Sequence, residues 1–404
     1  MQPAVNPVVN PSTATLDIIE KLIAIPTVSR DSNLGLIEWV RDELARQGVK
    51  SRLTYNDANS KANLFATIGP EDRPGVALSG HTDVVPVDGQ DWTSDPFVPT
   101  VRDGRLYARG AADMKSFIGT VLAQVPQFLA ADLKTPVHLA LSYDEEIGCV
   151  GVRRLIDDLA AAGIRPAGCI VGEPTSMNVV TAHKAQTQYR CRVHGHEAHS
   201  SLTPHAVNAI EYAARIVCRI RDIADRLRAS GDRIDGFDVP FTTLQTGVIR
   251  GGTATNIVPR DCQFNFEFRC LPGADPQHLF DEVRAYAESL LPEMRAVAPQ
   301  ADITWELLAS APACDTSERA AIYSLAQALS RGETGRKVAY ATEAGLFHQA
   351  GIPTIVCGPG SIEQAHKPNE YIELAQIAAC ERFVGKLIAE LGADAPALQR
   401  QGSG

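Results

Sequence analysis

The stretch Val76-Ala77-Leu78-Ser79-Gly80-His81-Thr82-Asp83 decides the fold. A short apolar run bounded by small and polar residues reads as a buried strand, and this one ends in an imidazole and a carboxylate. The arrangement recurs along the chain. Residues 137–141 lead into Asp144-Glu145-Glu146, and residues 169–171 lead into Gly172-Glu173-Pro174. A further run, 354–357, precedes a loop that carries His366. Helical spacing alternates with these strands: Leu16, Ile19, Leu22 and Ile23; then Ile37, Val40 and Leu44 before Gly48; then 114–129 and 372–391. Such alternation predicts an α/β layer with a largely parallel sheet.

The middle of the chain has a different texture. Tyr189, Cys191 and Val193 alternate with Arg190 and Arg192, the period of a half-exposed strand. Ile210, Ala214, Val217, Ile220 and Leu227 fall on one face of a long helix. Strands follow around 242–249 and 262–269, the second with Phe264, Phe266 and Phe268 on one side and Asn265, Glu267 and Arg269 on the other. A helix through Leu279, Phe280, Val283 and Leu290 and a strand at 303–307 complete a β-α-β-β-α-β order, the split ferredoxin-like unit. The sequence therefore predicts a discontinuous larger domain, 1–183 and 313–404, interrupted by a small domain at 184–312.

In an open α/β sheet, sites form beyond the carboxyl ends of the strands. His81, the acids at 144–146, Glu173 and His366 all follow strand ends, and Asp113 stands immediately before an apolar helix. Each has a bland reading by itself: a loop histidine, a solvated acidic turn, a helix N-cap, an ordinary turn before proline, a surface histidine. Together they converge on one crevice. Clustered carboxylates repel one another unless cations lie between them. Mixed histidine and carboxylate donors suit zinc, cobalt or manganese better than calcium or magnesium.

The 404 residues carry a formal net charge of −10, which argues against a nucleic-acid surface. Hydrophobic residues at 45% and charged residues at 21% are ordinary globular usage. No apolar stretch approaches the ~20 residues needed to cross a bilayer, and no signal peptide is visible. The nine cysteines are scattered without a C-x-x-C pair, which reads as reduced thiols acting as small core residues. The expected location is the cytoplasm, with no nucleic-acid or membrane partner.

The segments SGHTDVVPV (79–87), YARGAADMKS (107–116), SYDEEIGC (142–149), IVGEPTSM (170–177), AHSSLTPHAVNAI (198–210) and GPGSIEQAHKPNEY (358–371) resemble one family. It is the M20 metallopeptidase family, which includes acetylornithine deacetylase, succinyl-diaminopimelate desuccinylase and glutamate carboxypeptidase. The resemblance implies a zinc-peptidase-like catalytic domain with a mixed sheet and an inserted ferredoxin-like dimerisation or lid domain. It implies two divalent metal ions, zinc with cobalt able to substitute. His81 and Glu173 would hold one and Glu146 and His366 the other, with Asp113 bridging. Asp83 would orient His81, and Glu145 would act as general base towards a metal-bound hydroxide. Family relatives usually show Gly where this chain has Ser116, which bears on helix packing rather than on Asp113.

His199 in AHSS resembles the family's donor to the developing oxyanion, a residue that can reach across from a partner subunit in a homodimer. Without the family it is one of several histidines in a polar loop. Arg269 and Asn256 match residues that grip the substrate, and a planar guanidinium suits a carboxylate; the bland alternative pairs Arg269 with Glu267. The segment Ala341-Thr342-Glu343-Ala344 resembles acetylornithine deacetylases, where Glu343 would meet an ornithine ammonium. The implied reaction is hydrolysis of N-acetyl-L-ornithine to acetate and L-ornithine, a step in arginine biosynthesis. Alternatives are a deacylase or dipeptidase of the same family acting on acetylcitrulline, succinyl-diaminopimelate or another N-acyl amino acid. In a different class stands a non-catalytic protein that binds amino-acid derivatives, whose signature would be a missing ligand or base. None is missing here.

Overall fold

The computed structural model describes residues 10–394. The proline-rich start, 1–9, and the C-terminal PALQRQGSG, read from sequence as tails, lie outside the described residues. The chain divides into two compact units. The first comprises residues up to Ala182, then Cys314–Arg336 and Thr342 onward; the second is His183–Ala313 together with Lys337–Ala341.

The first unit is built on a mixed sheet. Its path runs Ser51–Tyr55, Ala62–Ile68, Val137–Ser142, Val76–His81, Gly168–Pro174, Thr354–Gly358, Val180–His183 and Cys314–Asp315. The central strands from Val137–Ser142 through Thr354–Gly358 are parallel, and the pairs flanking them are antiparallel. Strands buried on both faces read as continuous apolar runs, which is why 76–78 and 137–141 lack alternation. Helices Thr13–Ile23 and Lys115–Ala123 pack against each other at Gly119, where a Cβ would lie 2.5 Å from Ile19 Cγ1. Leu122, Phe117 and Ile118 join the core under the sheet with Phe128 and Val384.

Two predicted helices come out shorter. The pattern at 114–129 divides into Lys115–Ala123 and Val125–Ala130, because Pro126 in the first turn of the second piece cannot continue the first. The pattern at 372–391 begins only at Leu374, since Tyr371–Glu373 pairs with Arg105–Tyr107 as a strand. Ser116 is buried, and its hydroxyl donates to the Ala111 carbonyl at 2.6 Å, so the position usually held by Gly is satisfied locally.

The second unit has the predicted β-α-β-β-α-β order. Its four antiparallel strands run Thr243–Gly251, Asp261–Cys270, Ala185–His194 and Asp302–Ala311. Phe264, Phe266 and Phe268 are buried, and Tyr189 stacks on Phe280 with ring centroids 4.0 Å apart. Helices Ala209–Ser230 and Pro276–Val297 cover this aromatic face, capped by Asn208 and Asp275. The buried line of the first helix is Ala209, Ala213, Ile216, Ile220 and Ile223. Ala214, expected on that face, is exposed because the helix is rotated relative to the sequence-based stripe. Among the cysteines only Cys218 is exposed, so it is the exception to the reading of these thiols as core residues.

Candidate active site

The parallel register brings the candidate ligands to one edge of the first unit. Gly80 pairs with Leu141 and His81 with Ser142, while Ser79 pairs with Val171. His81, the 144–146 turn and Glu173 therefore leave adjacent strands at the same height. Asp113 arrives from the turn before Lys115–Ala123, and His366 from the loop after Ile362–Gln364.

Asp113 stands at the centre. Its Oδ1 is 2.9 Å from His81 Nε2, and its Oδ2 is 3.3 Å from His366 Nε2. Glu173 Oε1 lies 3.5 Å from His81 Nε2, and Glu146 Oε2 lies 3.0 Å from His366 Nε2. Asp113 thus offers one oxygen to each imidazole, with one further carboxylate on either side. His81, Asp113 and Glu173 are buried, Glu145 and Glu146 are half-buried, and the His366 side chain is 53% exposed. The cluster opens to solvent on the His366 side.

The His81 Nδ1 hydrogen faces the Asp83 carbonyl at 2.9 Å, and a carbonyl can only accept. Nε2 is thereby left to face the carboxylates. The Asp83 carboxylate, expected to orient this ring directly, is 3.6 Å from Nδ1, too long for a hydrogen bond. Its oxygens are engaged elsewhere: Oδ1 accepts from Glu145 N at 3.0 Å, and Oδ2 from Ser29 Oγ at 2.7 Å and Glu146 N at 3.3 Å. Asp83 therefore orients the ring through its backbone and the two glutamates through its side chain.

The titration behaviour describes a site built around positive charge. Burial and the neighbouring acids push Glu145 up to about 8, although His81 opposes this. Burial and Asp113 raise Glu146, and the same two causes hold Glu173 well above the carboxylate range. Burial would raise Asp113, but His366 and His81 pull it below its ordinary value. The hydrogen bonds to Asp113 and Glu146 push His366 up to about 11. Burial would lower His81, yet Asp113, Asp83 and Glu173 hold it well above its ordinary value. Positive charge on these imidazoles would offset the clustered acids, as bound cations would.

The donor set fits such cations. Ligand atoms of His81, Asp113 and Glu146 lie within 4.8 Å of one another, as do those of His81, Glu145 and Glu173. Imidazole and carboxylate donors without thiolate match zinc, cobalt or manganese.

Glu343 is corrected by the structure. It is 0% exposed, Oε1 accepting from Ser79 Oγ at 2.6 Å and Oε2 from Ser142 Oγ at 2.7 Å. Its carboxylate faces protein hydroxyls under the strand ends, so it does not present itself to a substrate ammonium. Sequence reasoning also missed Lys61, whose ammonium contacts Asp144 Oδ1 at 2.5 Å, and the buried residues Arg109 and Glu370. The last two lie inside the quoted YARGAADMKS and GPGSIEQAHKPNEY segments. A buried charge there leaves no periodic signal.

In the second unit, His199 is exposed and its Nδ1 faces Ser201 Oγ at 2.9 Å. Asn256 is its neighbour, since Ser200 N donates to the Asn256 carbonyl at 3.0 Å and His199 pairs with Ile257. Arg269 lies 3.3 Å from Glu267 Oε2, the pairing that its strand position favoured.

Residues 77–390 match the model of peptidase family M20/M25/M40. The chain is 34% identical over 380 residues to an acetylornithine deacetylase of Proteus mirabilis, covering 92% of this chain and 95% of the relative. It is 33% identical to one of Pasteurella multocida, covering 93% and 97%. In fold it is similar to an M20 family metallo-carboxypeptidase from Sulfolobus solfataricus, with a TM-score of 0.76 at 19% identity over 94% of this chain and 100% of that one. A tripeptidase of Staphylococcus aureus gives a TM-score of 0.73 at 20% identity, covering 95% and 99%. The family match includes every candidate ligand, from His81 to His366, and the chain belongs to peptidase family M20/M25/M40, a family of hydrolases.

Proposed function

We propose that the chain hydrolyses the amide bond of N-acetyl-L-ornithine to acetate and L-ornithine, a step in arginine biosynthesis in the cytoplasm. The observation that carries this reading is the near full-length likeness to two acetylornithine deacetylases. The double-sided cluster around Asp113 supports the chemistry.

His81 and Glu173 would hold one divalent ion and Glu146 and His366 the other, with Asp113 shared. Zinc is the preferred ion and cobalt its substitute. When bound, such ions supply Lewis acidity that makes a water acidic and polarises a carbonyl. Glu145 takes the proton from the attacking water and delivers it to the departing amine, so the C–O bond forms and the C–N bond breaks with the proton count balanced. Asp83 accepts from the backbone N–H of both glutamates, which supports a fixed place for Glu145 beside the ligands. His199 donates to the developing charge on the carbonyl oxygen. Arg269, with Asn256, takes the substrate carboxylate. The second unit serves as the homodimerisation surface.

The test measures amine release by protein stripped with chelator and then reloaded with zinc or cobalt. Acetylornithine is assayed beside acetylcitrulline, acetylmethionine and succinyl-diaminopimelate. Restored activity, highest on acetylornithine, is expected. Restored activity that favours another substrate overturns the substrate and leaves the site; no metal-dependent activity on any of them overturns the reading.

A further inference from the structure

Arg109 and Glu370 form an ion pair of 2.7 Å with side chains 1% and 0% exposed. A buried pair of this kind costs desolvation and is a weak source of stability. Its geometry shows another use. Glu370 Oε1 accepts from Ala112 N at 2.8 Å and from Asp113 N at 3.1 Å, so it holds the backbone of the central carboxylate. The other arm of Arg109 donates to Gln90 Oε1 at 2.6 Å, and Gln90 Nε2 donates to the His366 carbonyl at 3.0 Å. Arg109 also reaches the Lys367 carbonyl at 3.4 Å.

His366 sits at φ 63°, a left-handed conformation that a non-glycine residue keeps only when its surroundings enforce it. Here they do. Asn369 accepts from Thr93 N at 2.9 Å and from Thr93 Oγ1 at 2.7 Å, docking the same loop on the 90–93 segment. The guanidinium–carboxylate pair therefore braces the 109–113 and 366–370 segments where they leave the paired strands Arg105–Tyr107 and Tyr371–Glu373. Towards His81 and Glu173, which their own strands position, the pair reaches only through Asp113, whose Oδ1 lies 2.9 Å from His81 Nε2.

We propose that the Arg109–Glu370 pair is a positioning device for the metal cluster that acts more strongly on the position served by Glu146 and His366, whose loop it braces, than on the His81–Glu173 position, which it reaches only through Asp113. This rests on the dinuclear reading of the cluster. Outer groups that orient ligands typically govern affinity by about 10–100-fold. Lys cannot reproduce the fork that spans Glu370 and Gln90 together.

The experiment is a calorimetric zinc titration of the stripped full chain, repeated with cobalt followed by its visible absorption. The parent, Glu370→Gln, Arg109→Lys and the double variant Arg109→Met/Glu370→Met are compared. The parent is expected to bind two ions. Each single variant is expected to weaken one affinity by about 10–100-fold and the other clearly less, with activity recovering at high metal and KM little changed. The apolar double variant restores thermal stability but not the weakened affinity. Equal weakening of both ions, or of neither, overturns the proposal, as does recovery of the second affinity in the double variant. A parent that binds fewer than two ions instead overturns the dinuclear reading, so the two failures are distinguishable.

Discussion

Glu145 and Glu146 are chain neighbours with different surroundings. Glu146 meets His366 at 3.0 Å, whereas Glu145 Oε1 accepts only from Cys149 Sγ, at 3.3 Å. A carboxylate with weak partners and a pKa pushed up to about 8 is suited to proton transfer rather than to ligation. Glu145→Gln is therefore expected to lower kcat by about 10²–10⁴-fold while the number of zinc ions bound per chain stays at the parent value. Parallel loss of metal would assign Glu145 to the ligand set instead. Glu343 makes the opposite prediction. Because Ser79 and Ser142 occupy both its oxygens, Glu343→Gln is expected to leave the kcat/KM ratio between acetylornithine and acetylmethionine unchanged. Glu343→Ala would cost about 1–3 kcal/mol in chemical denaturation by orphaning buried hydroxyls. A changed substrate ratio in the Gln variant would return Glu343 to the binding site. The candidate ligands were legible because each follows an apolar strand. The burial of Glu343 was not, because its partners lie 264 and 201 residues away in sequence and the four-residue segment 341–344 carries no sign of depth.

At the scale of elements, the site depends on parallel strands of continuous apolar sequence stopping at the same level. Gly168–Pro174 carries Glu173, and Gly172 lets it lie flat against the helix behind. A Cβ on Gly172 would fall 2.1 Å from the ring of Phe117, which is buried in Lys115–Ala123. Gly172→Ala is thus expected to destabilise the protein by about 1–3 kcal/mol through overpacking and to weaken metal binding by displacing Glu173. Gly385, exposed within Leu374–Leu391, has nothing within 4 Å of such a Cβ. Gly385→Ala should stabilise by about 0.5–1 kcal/mol with kinetics unchanged. Urea titration of the pair checks both signs, and a stable Gly172→Ala would mean the ring yields. The strands and their order in the second unit were legible from period-two alternation. The break at Pro126 and the strand at Tyr371–Glu373 were obscured because short apolar stretches fit either period.

For the molecule as a whole, the cluster links stability to pH in a direction that bound metal should reverse. A group whose folded pKa is raised holds its proton more tightly when folded. That stability is complete below the unfolded value and disappears as pH climbs through the folded one. Glu145, at about 8 against an ordinary 4.5, and Glu370, at about 7, behave this way, and Glu146, Glu173 and Glu343 shift in the same direction. His81 and His366 add the same trend, since both are raised by their carboxylate neighbours. Asp83 and Asp113 are lowered, so their contribution is lost only on acidification through and below 3.8, outside this window. Burial lowers Lys115 to about 7, which opposes the trend only above that pH. Metal-free protein should therefore lose stability steadily as pH rises from 5.5 to 7.5. Metal requires the same ligands deprotonated, so its affinity rises over that interval and zinc uptake releases protons. A ligand that binds only the folded state at 100 times its Kd adds about 2.7 kcal/mol, and more as Kd falls. The gap in Tm between zinc-loaded and chelator-treated protein should accordingly widen from pH 5.5 to 7.5 in scanning calorimetry. A gap that stays constant or narrows would mean that protons and metal do not compete for this cluster, and the dinuclear reading would go with it.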